Sequence, residues 1–513
     1  MRFELSKDKQ FIQLIEWNTD SEILKLKTYF RRKNKDFFFN PDYQKGNWDG
    51  YDDFFTNGYI PIGLWLELEK FLKNNRYNID IAGLSDFINT SFVKEKLMDF
   101  TVKLLKDTEI FEPRYYQMDA AFRILKYRYC SAELATSAGK TLISYIVFTY
   151  LKKLNLVNKD AKFLLIVPRV GLVNQTADKF EKNYYNGYVP FKLMKIGGAK
   201  NKFKQKLFDE ADCIISTYQS LANIKPDLLK KIKHINVDEA HTVGTKTVRS
   251  VIETCSPLMY RFGLSGTLEI EPDKAEYFRM QKYLGPIVMV VTAEDLIKYE
   301  YSPKVNIRII NLHYDKHDPI IAGYLDQVEN GAEQWADKMA FAKMLYLLER
   351  GITTDYEKRL DFIVKLACSL KMNTLILFNN VKDKYGFNIG EKLKEKGESV
   401  YYIDGNTKDS NRSDYTQLME TTNNTKLIAS FGTFSTGIDL KNVYNIIFVE
   451  SYKSPILIRQ SIGRGMRELI NKRSINIIDI VDMFGKYSKK HKKERRDIYS
   501  QQKFPFTEFD YQL

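Results

Sequence analysis

LATSAGKT, Leu134–Thr141, is the stretch on which the reading of this chain turns. An apolar strand candidate ends near Leu134, and a helix candidate, TLISYIVFTYLKK, opens at Thr141. Strand, loop and helix in that order form the setting of a phosphate-binding loop. There the backbone N–H groups of Thr136, Ser137, Ala138 and Gly139, together with the positive end of the helix, face an anion. Lys140 would reach the β- and γ-phosphates of ATP. The Thr141 hydroxyl would complete a Mg2+ site whose other protein ligand is a carboxylate elsewhere. The loop departs from the strict G-x-x-x-x-G-K-[ST] form, because Leu134 stands where the first glycine is expected and only Gly139 remains.

The carboxylate appears in INVDEAH. Asp238 sits at the C-terminal end of an apolar strand, the edge at which a parallel sheet presents ligands, so it can hold Mg2+ while Glu239 orients or activates water for in-line attack on the γ-phosphate. Around these two stretches, strand candidates at Phe163–Val167, Cys213–Ser216, Ile235–Asp238 and Arg261–Leu264 alternate with helical stretches such as Leu172–Asn183. That alternation predicts a parallel α/β sheet buried on both faces. A helix is expected after Pro113, with Arg114 and Gln117 one turn apart near its start, placed to read an adenine edge.

A second set of short apolar strands, at 374–378, 400–403, 427–430, 446–449 and 475–480, follows a largely helical stretch, 320–350. Two α/β domains, one with the phosphate loop and one without, imply a ligand held in the cleft between them. Ahead of both lies a small α+β region, 1–108, with strands expected at 11–16 and 35–39 and helices around 21–30 and 61–74. Trp48, in its turn-rich stretch NPDYQKGNWDG, either stacks on bases or plugs a small core. The expected domains are therefore 1–108, 109–300, 301–485 with a helical insertion, and a basic tail, 486–513.

At 513 residues the chain exceeds one hydrophobic core and suits roughly three domains. Its net charge of +14 lies outside the first 110 residues, where 17 Lys and Arg meet 18 Asp and Glu. Lys486–Arg496 carries seven Lys and Arg against one Glu. A basic surface predicts a polyanionic partner, and nucleic acid is favoured over membrane because no run of about 18 apolar residues is present. The four cysteines form no C-x-x-C pair and no metal or disulfide framework, and no signal-peptide pattern opens the chain, so a reducing cytoplasm is expected.

With these motifs in order, the chain resembles the superfamily 2 helicases of DEAH type, through both α/β domains. The resemblance implies two RecA-like motor domains in tandem. Pro113–Gln117 is similar to the adenine-reading motif, and His241 belongs with the nucleotide-site residues. IVPRVGLVNQ and STYQSL, containing Pro168, Arg169, Thr217 and Tyr218, are similar to strand-tracking motifs. LSGT, Leu264–Thr267, is similar to the element that couples hydrolysis to movement. LILFNN, SFGTFSTGIDL and QSIGRGMR are similar to the remaining motifs. They imply nucleic-acid contacts by Asn379 and Thr433, nucleotide-cleft contacts by Gly437, Asp439 and Gln460, and arginine fingers at Arg464 and Arg467.

A narrower likeness is to the UvsW-type helicases of T-even-like phages. It rests on FNPDYQKGNWDG and PIGLWLELEKF in the first region and on EPRYYQMDAAF, TSAGKT and FGLSGT in the motor. It implies a monomeric, ATP-driven 3′-to-5′ DNA motor acting on single-stranded and branched DNA in phage recombination, repair and replication: Holliday junctions, forks, R-loops and D-loops. In an infected cell its place would be the host cytoplasm. The residues alone reach only a nucleotide-dependent motor on a nucleic-acid strand. An RNA helicase, a duplex translocase that leaves strands paired, or a non-catalytic annealing scaffold are the alternatives that measurement must separate.

Overall fold

The structure, a computed structural model, describes residues 1–513 except 36, 89–91, 109, 111, 199–200, 269–270, 272, 332–336, 380, 382–383, 408, 435–439, 453, 468 and 470–471, and the side chains of 409, 410 and 413. It divides into two compact units, Met1–Val291 and Thr292–Leu513.

In the first unit a seven-stranded sheet runs in the order Ile287–Val291, Tyr129–Leu134, Tyr260–Ser265, Ile232–Asp238, Lys162–Val167, Cys213–Thr217, Leu193–Ile196. All its ladders are parallel. Its middle strands are apolar runs buried on both faces, as crossover helices on either side require. The register brings Val167 level with Thr217, Asp238 with Leu264 and Ser265 with Glu133. The motif-bearing strand ends therefore emerge along one edge.

The N-terminal residues build a four-stranded sheet, Tyr59–Pro61, Phe11–Glu16, Arg2–Leu5 and Ile81–Ala82, and a two-stranded ribbon, Arg31–Lys33 with Tyr51–Asp53. Helices span Asp20–Tyr29 and Trp65–Asn74. The strand expected at Lys35–Phe39 is instead a 3-10 turn over Phe37–Phe39. Asn34 and Asn40–Pro41 bracket it with turn chemistry that outweighs the β preference of three phenylalanines. This region shares a core with the seven-stranded sheet of the same unit, in which Phe30, Phe54, Phe71 and Leu72 cluster with Phe278, Tyr277 and Leu284. Gly63 lies so close to the helix Ala275–Leu284 that a Cβ there would sit 2.0 Å from the Gln281 carbonyl oxygen. Buried Glu67 accepts from Tyr29 Oη at 3.2 Å and from Tyr277 Oη at 3.0 Å.

The second unit holds another seven-stranded parallel sheet, ordered Val400–Ile403, Lys426–Ser430, Thr374–Phe378, Asn445–Phe448, Ser474–Asp482, Lys304–His313, Phe506–Gln512. The predicted helical stretch becomes Pro319–Asn330 and Lys338–Asp355. The basic segment forms the helix Lys486–Gln501, and the residues after it supply the edge strand beside Lys304–His313. Arg495 is fully buried, its Nε donating to Asp479 at 2.8 Å, and Lys492 and Arg496 pair with Glu508. Arg359, also buried, donates to Asp482 at 2.6 Å and to the Val449 carbonyl at 2.6 Å. Three cysteines are buried and Cys368 is half-buried, all as thiols. Among the described residues no helix is long and apolar enough to cross a membrane.

Candidate nucleotide and nucleic-acid sites

The phosphate loop runs from the end of the Tyr129–Leu134 strand into the helix Lys140–Lys153. Ser137 and Gly139 both have positive φ, 71° and 80°, and the turn between them points backbone N–H groups inward. Gln117 props it from behind. Its Nε2 donates to the Ala138 carbonyl at 2.9 Å while its Oε1 accepts from the Arg114 N–H at 2.9 Å, capping its own helix, Tyr115–Tyr127. A Cβ on Gly139 would lie 2.1 Å from that Nε2, so glycine is fixed here by both torsion and space. Lys140 Nζ donates to the Leu134 carbonyl at 3.3 Å, laying the ammonium across the loop, and Thr141 stands half-buried beside it.

Facing the loop, Asp238 ends its strand and Glu239 turns the chain with φ 54°, its N–H donating to Asp238 Oδ1 at 3.1 Å. Burial, then the Glu239 charge, push the Asp238 carboxyl up to about 6, against the pull of Lys140. A buried carboxyl raised by burial and by a neighbouring charge is what a divalent cation relieves. Asp238 and the Thr141 hydroxyl therefore fit Mg2+, which takes few protein ligands and completes its shell with phosphates and water.

The residues of LSGT close the network. Ser265 Oγ lies 3.2 Å from Glu239 Oε2, to which it donates, 3.1 Å from His241 Nδ1, and accepts from the Thr267 N–H at 3.2 Å. His241 Nδ1 is 3.4 Å from Glu239 Oε2, and burial holds the imidazole below its ordinary pKa despite that carboxylate. Gly266 lies against the loop, its Cβ position 3.4 Å from the Leu134 carbonyl oxygen and 3.6 Å from Thr136 Oγ1. A single hydroxyl thus connects Glu239 with the turn that touches the loop.

Further along the same sheet edge, Pro168 and Arg169 follow the Lys162–Val167 strand, and Arg169 immediately precedes the helix Val170–Asp178. On the adjacent strand Thr217 and Tyr218 begin a short helix, Thr217 Oγ1 accepting from the Ser220 N–H at 3.3 Å. A neighbour that motif reading missed is Gly197–Gly198, after the next strand, Leu193–Ile196. With φ 69°, a Cβ on Gly198 would come 2.8 Å from Val170 Cγ1. Its doubled glycine was the available signal. Three neighbouring strand ends so present backbone and hydroxyl groups suited to a phosphate backbone. Trp48 stands apart from them, half-buried, its Nε1 donating to the Tyr51 carbonyl at 2.6 Å.

In the second unit Asn379 follows the Thr374–Phe378 strand, its N–H donating to the Glu450 carboxylate. Thr433 follows the neighbouring Lys426–Ser430 strand and is buried, its hydroxyl accepting from Ser430 Oγ at 2.8 Å. Gln460 and Arg464, four apart, share one face of the helix Pro455–Gly465. The Arg464 guanidinium lies 5.4 Å from the Phe434 ring centroid. Burial lowers Arg467 to about 10 while Glu420 opposes the shift. Gly437 and Asp439 lie outside the described residues.

Comparison with known proteins gives the following likenesses. The family model of the DNA helicase UvsW N-terminal region matches residues 7–82, that of the type III restriction enzyme res subunit matches 110–270, and that of the helicase conserved C-terminal domain matches 358–468. The ATP-dependent DNA helicase uvsW of Enterobacteria phage T4 is 30% identical over 473 residues, 90% of this chain and 87% of that protein. The DNA 3′-5′ translocase XPB2 of Sulfurisphaera tokodaii is 27% identical over 222 residues, 43% of this chain and 45% of its own. The solved structure of S. cerevisiae Dbp5 bound to RNA and ADP BeF3 shares the fold, with a TM-score of 0.52 and 16% identity over 81% of this chain and 93% of that one.

Proposed function

This chain belongs to the UvsW family of superfamily 2 helicases, and from that membership we propose that it is a monomeric, Mg2+-dependent motor that remodels branched DNA. It is an enzyme, an ATP-dependent DNA helicase. Its substrates are Holliday junctions, forks, R-loops and D-loops, and it tracks 3′ to 5′ in phage recombination, repair and replication within the host cytoplasm. The DNA helicase activity of uvsW supports DNA as the substrate, and the 3′-5′ translocase activity of XPB2 supports the polarity.

The observation that carries the reading is the Glu239–Ser265–His241 network set against the phosphate loop. Lys140 and the loop N–H groups bind and orient the triphosphate, and the Gln117 cap holds the loop while facing the base. Glu239 takes a proton from, or orients, the attacking water, and Asp238 with Thr141 would hold Mg2+. When bound, that ion neutralises charge on the β- and γ-phosphate oxygens. As the γ-phosphate leaves, Ser265 senses the change at Glu239 and moves Thr267 and Gly266, altering the sheet edge at Arg169 and Tyr218. Arg464 and Arg467 are the candidate arginine fingers, groups worth several powers of ten in rate where such fingers operate.

Steady-state ATP hydrolysis, measured without nucleic acid and then with RNA, single-stranded DNA and a four-way junction at one salt concentration, tests this. The junction is expected to stimulate most. Lys140→Ala and Glu239→Gln are expected to abolish turnover while DNA binding survives, and a full rate in either would overturn the assignment.

A further inference from the structure

The helix Lys486–Gln501 leaves the second sheet where its strands end, on the edge that carries the candidate nucleic-acid residues of that unit. It follows the strand Ser474–Asp482, and His491 Nδ1 lies 2.7 Å from the Oγ of Ser451, just past the neighbouring strand Asn445–Phe448. Arg495 donates to the Tyr452 carbonyl at 3.1 Å. Beside Ser451, Glu450 accepts the N–H of Asn379, at the end of the next strand, Thr374–Phe378. The first turns of the helix therefore continue the row of strand ends that holds Thr433 and Asn379.

One side of the helix, Ser488, His491, Arg495, Ile498 and Tyr499, is buried. On the other, Lys486, Lys489, Lys490 and Lys493 are exposed, and helical geometry places all four within an arc of roughly 100°, along about 10 Å of axis. Residues 486–493 hold five lysines and no acid. Glu494 and Asp497 come after them, and among the described residues no carboxylate is ion-paired with any of the four. The surrounding acids are engaged elsewhere: Asp479 with Arg495, Glu508 with Lys492 and Arg496, Asp510 with His313, and buried Glu349 with the N–H groups of Tyr487 and Ser488. Setting Glu494, Asp497, Asp479, Glu508 and Asp510 all against the seven Lys and Arg of the helix still leaves it positive.

Folding gains nothing from this face. Lys486 and Lys490, and likewise Lys489 and Lys493, are like charges four apart, which weaken a helix. Lys486 and Lys489 also stand in its first turn, where the positive end of the dipole adds to the repulsion. A polyanion relieves both. The face offers no ring on which an unpaired base could stack, since Tyr487 donates to the Ala342 carbonyl at 2.7 Å and Tyr499 is buried. Point charges in a line, without stacking groups, suit the sugar-phosphate backbone of paired strands rather than splayed bases.

We propose that Lys486, Lys489, Lys490 and Lys493 form a second DNA contact, which holds the phosphate backbone of a duplex arm beside the strand-tracking row. The inference rests on the branched-DNA reading above and gives the paired arm of that substrate a place on the second unit, which the helicase motifs do not supply. Such a contact ignores sequence and weakens with salt.

The test compares the full chain with its Lys486→Gln/Lys489→Gln/Lys490→Gln/Lys493→Gln form and with the form carrying arginine at the same four positions. A control form carries Lys365→Gln, Lys371→Gln, Lys394→Gln and Lys396→Gln, exposed lysines on the segments that lead into the strands Thr374–Phe378 and Val400–Ile403. Binding to blunt duplex, to a four-way junction and to single-stranded DNA is measured without ATP over a range of salt. The glutamine form is expected to bind duplex and junction about tenfold or more weakly at low salt, with the slope of log K against log salt shallower by roughly one per lysine, while its single-strand affinity stays within about twofold. The arginine and control forms should keep the wild-type slope. A glutamine form with the wild-type slope would overturn the proposal. So would an equal loss on single strands, which would assign the lysines to the tracked strand, or an equal loss in the control, which would reduce the effect to net charge. Wild-type hydrolysis that the junction fails to stimulate would sink the branched-DNA reading and leave this binding measurement standing, so the two fail separately.

Discussion

Gly139→Ala is expected to cripple the nucleotide site through a side chain that the phosphate never touches. A Cβ at φ 80° costs about 1–2 kcal/mol in backbone strain. It would also sit 2.1 Å from Gln117 Nε2, which must then leave the Ala138 carbonyl and disturb its cap on the Arg114 N–H. Losing those two bonds adds roughly 1–3 kcal/mol. Together these predict ATP binding weakened by about two to three powers of ten, since each 1.4 kcal/mol is tenfold. The assay is titration of a fluorescent ATP analogue in a double-mutant cycle with Gln117→Ala. In that background the clash is already gone, so Gly139→Ala should cost only its strain and the cycle should show coupling of at least about 1 kcal/mol. Equal losses in both backgrounds would refute the idea that Gln117 braces the loop.

Ser265→Ala removes the hydroxyl joining Glu239, His241 and the Thr267 N–H. Hydrolysis should fall less than about tenfold while the ATP consumed per base pair unwound rises several-fold, and an unchanged ratio would count against the coupling role. Arg359→Met leaves the Asp482 carboxylate buried without its cation, which should cost about 3–5 kcal/mol. Replacing both partners by apolar residues should cost much less, as read from denaturation of the whole chain. His234 is buried with Nε2 donating to the Leu156 carbonyl at 2.8 Å, and burial lowers its pKa from 6.5 to about 4. The unfolded chain therefore binds a proton that the folded chain refuses, so stability is full above pH 6.5 and falls by about 1.4 kcal/mol per pH unit down to about pH 4. A His234 titration near 6.5 by NMR would contradict this.

The parts legible in the sequence were those whose physics is local. Strands such as FLLIV in Lys162–Val167 announce themselves because both faces are buried, and the phosphate loop is a contiguous motif. Two neighbouring strands at one side of the second sheet were not foreseen: Lys304–His313 alternates buried and exposed residues, and Phe506–Gln512, at the edge, is almost wholly exposed, held by its ladder to its neighbour. The basic stretch read as a tail hid Arg495, whose partner Asp479 is supplied by a strand that also looked purely apolar. In the site, Lys140, Asp238 and Glu239 could be singled out by motif, but the hydroxyl bridge from Ser265 to Glu239 joins residues 26 apart, and only the parallel register of their strands brings them level. The run Phe37–Phe39 misled for the opposite reason, because its β preference suggested a strand and the chain turns there in a 3-10 helix.

The shared packing between the N-terminal region and the helix Ala275–Leu284 changes what truncation can teach. Cutting away residues 1–108 would leave Tyr277 without Glu67, strip Phe54 from Phe278, and release Tyr129 from the Gln10 amide that donates to it at 2.8 Å. A shortened chain would therefore lose ATPase activity through an uncovered interior, whatever the missing segment contacts on DNA. Heredity meets the same constraint: the leading region cannot be shuffled on to another motor as a detachable cassette unless the receiving helix already carries its counterparts.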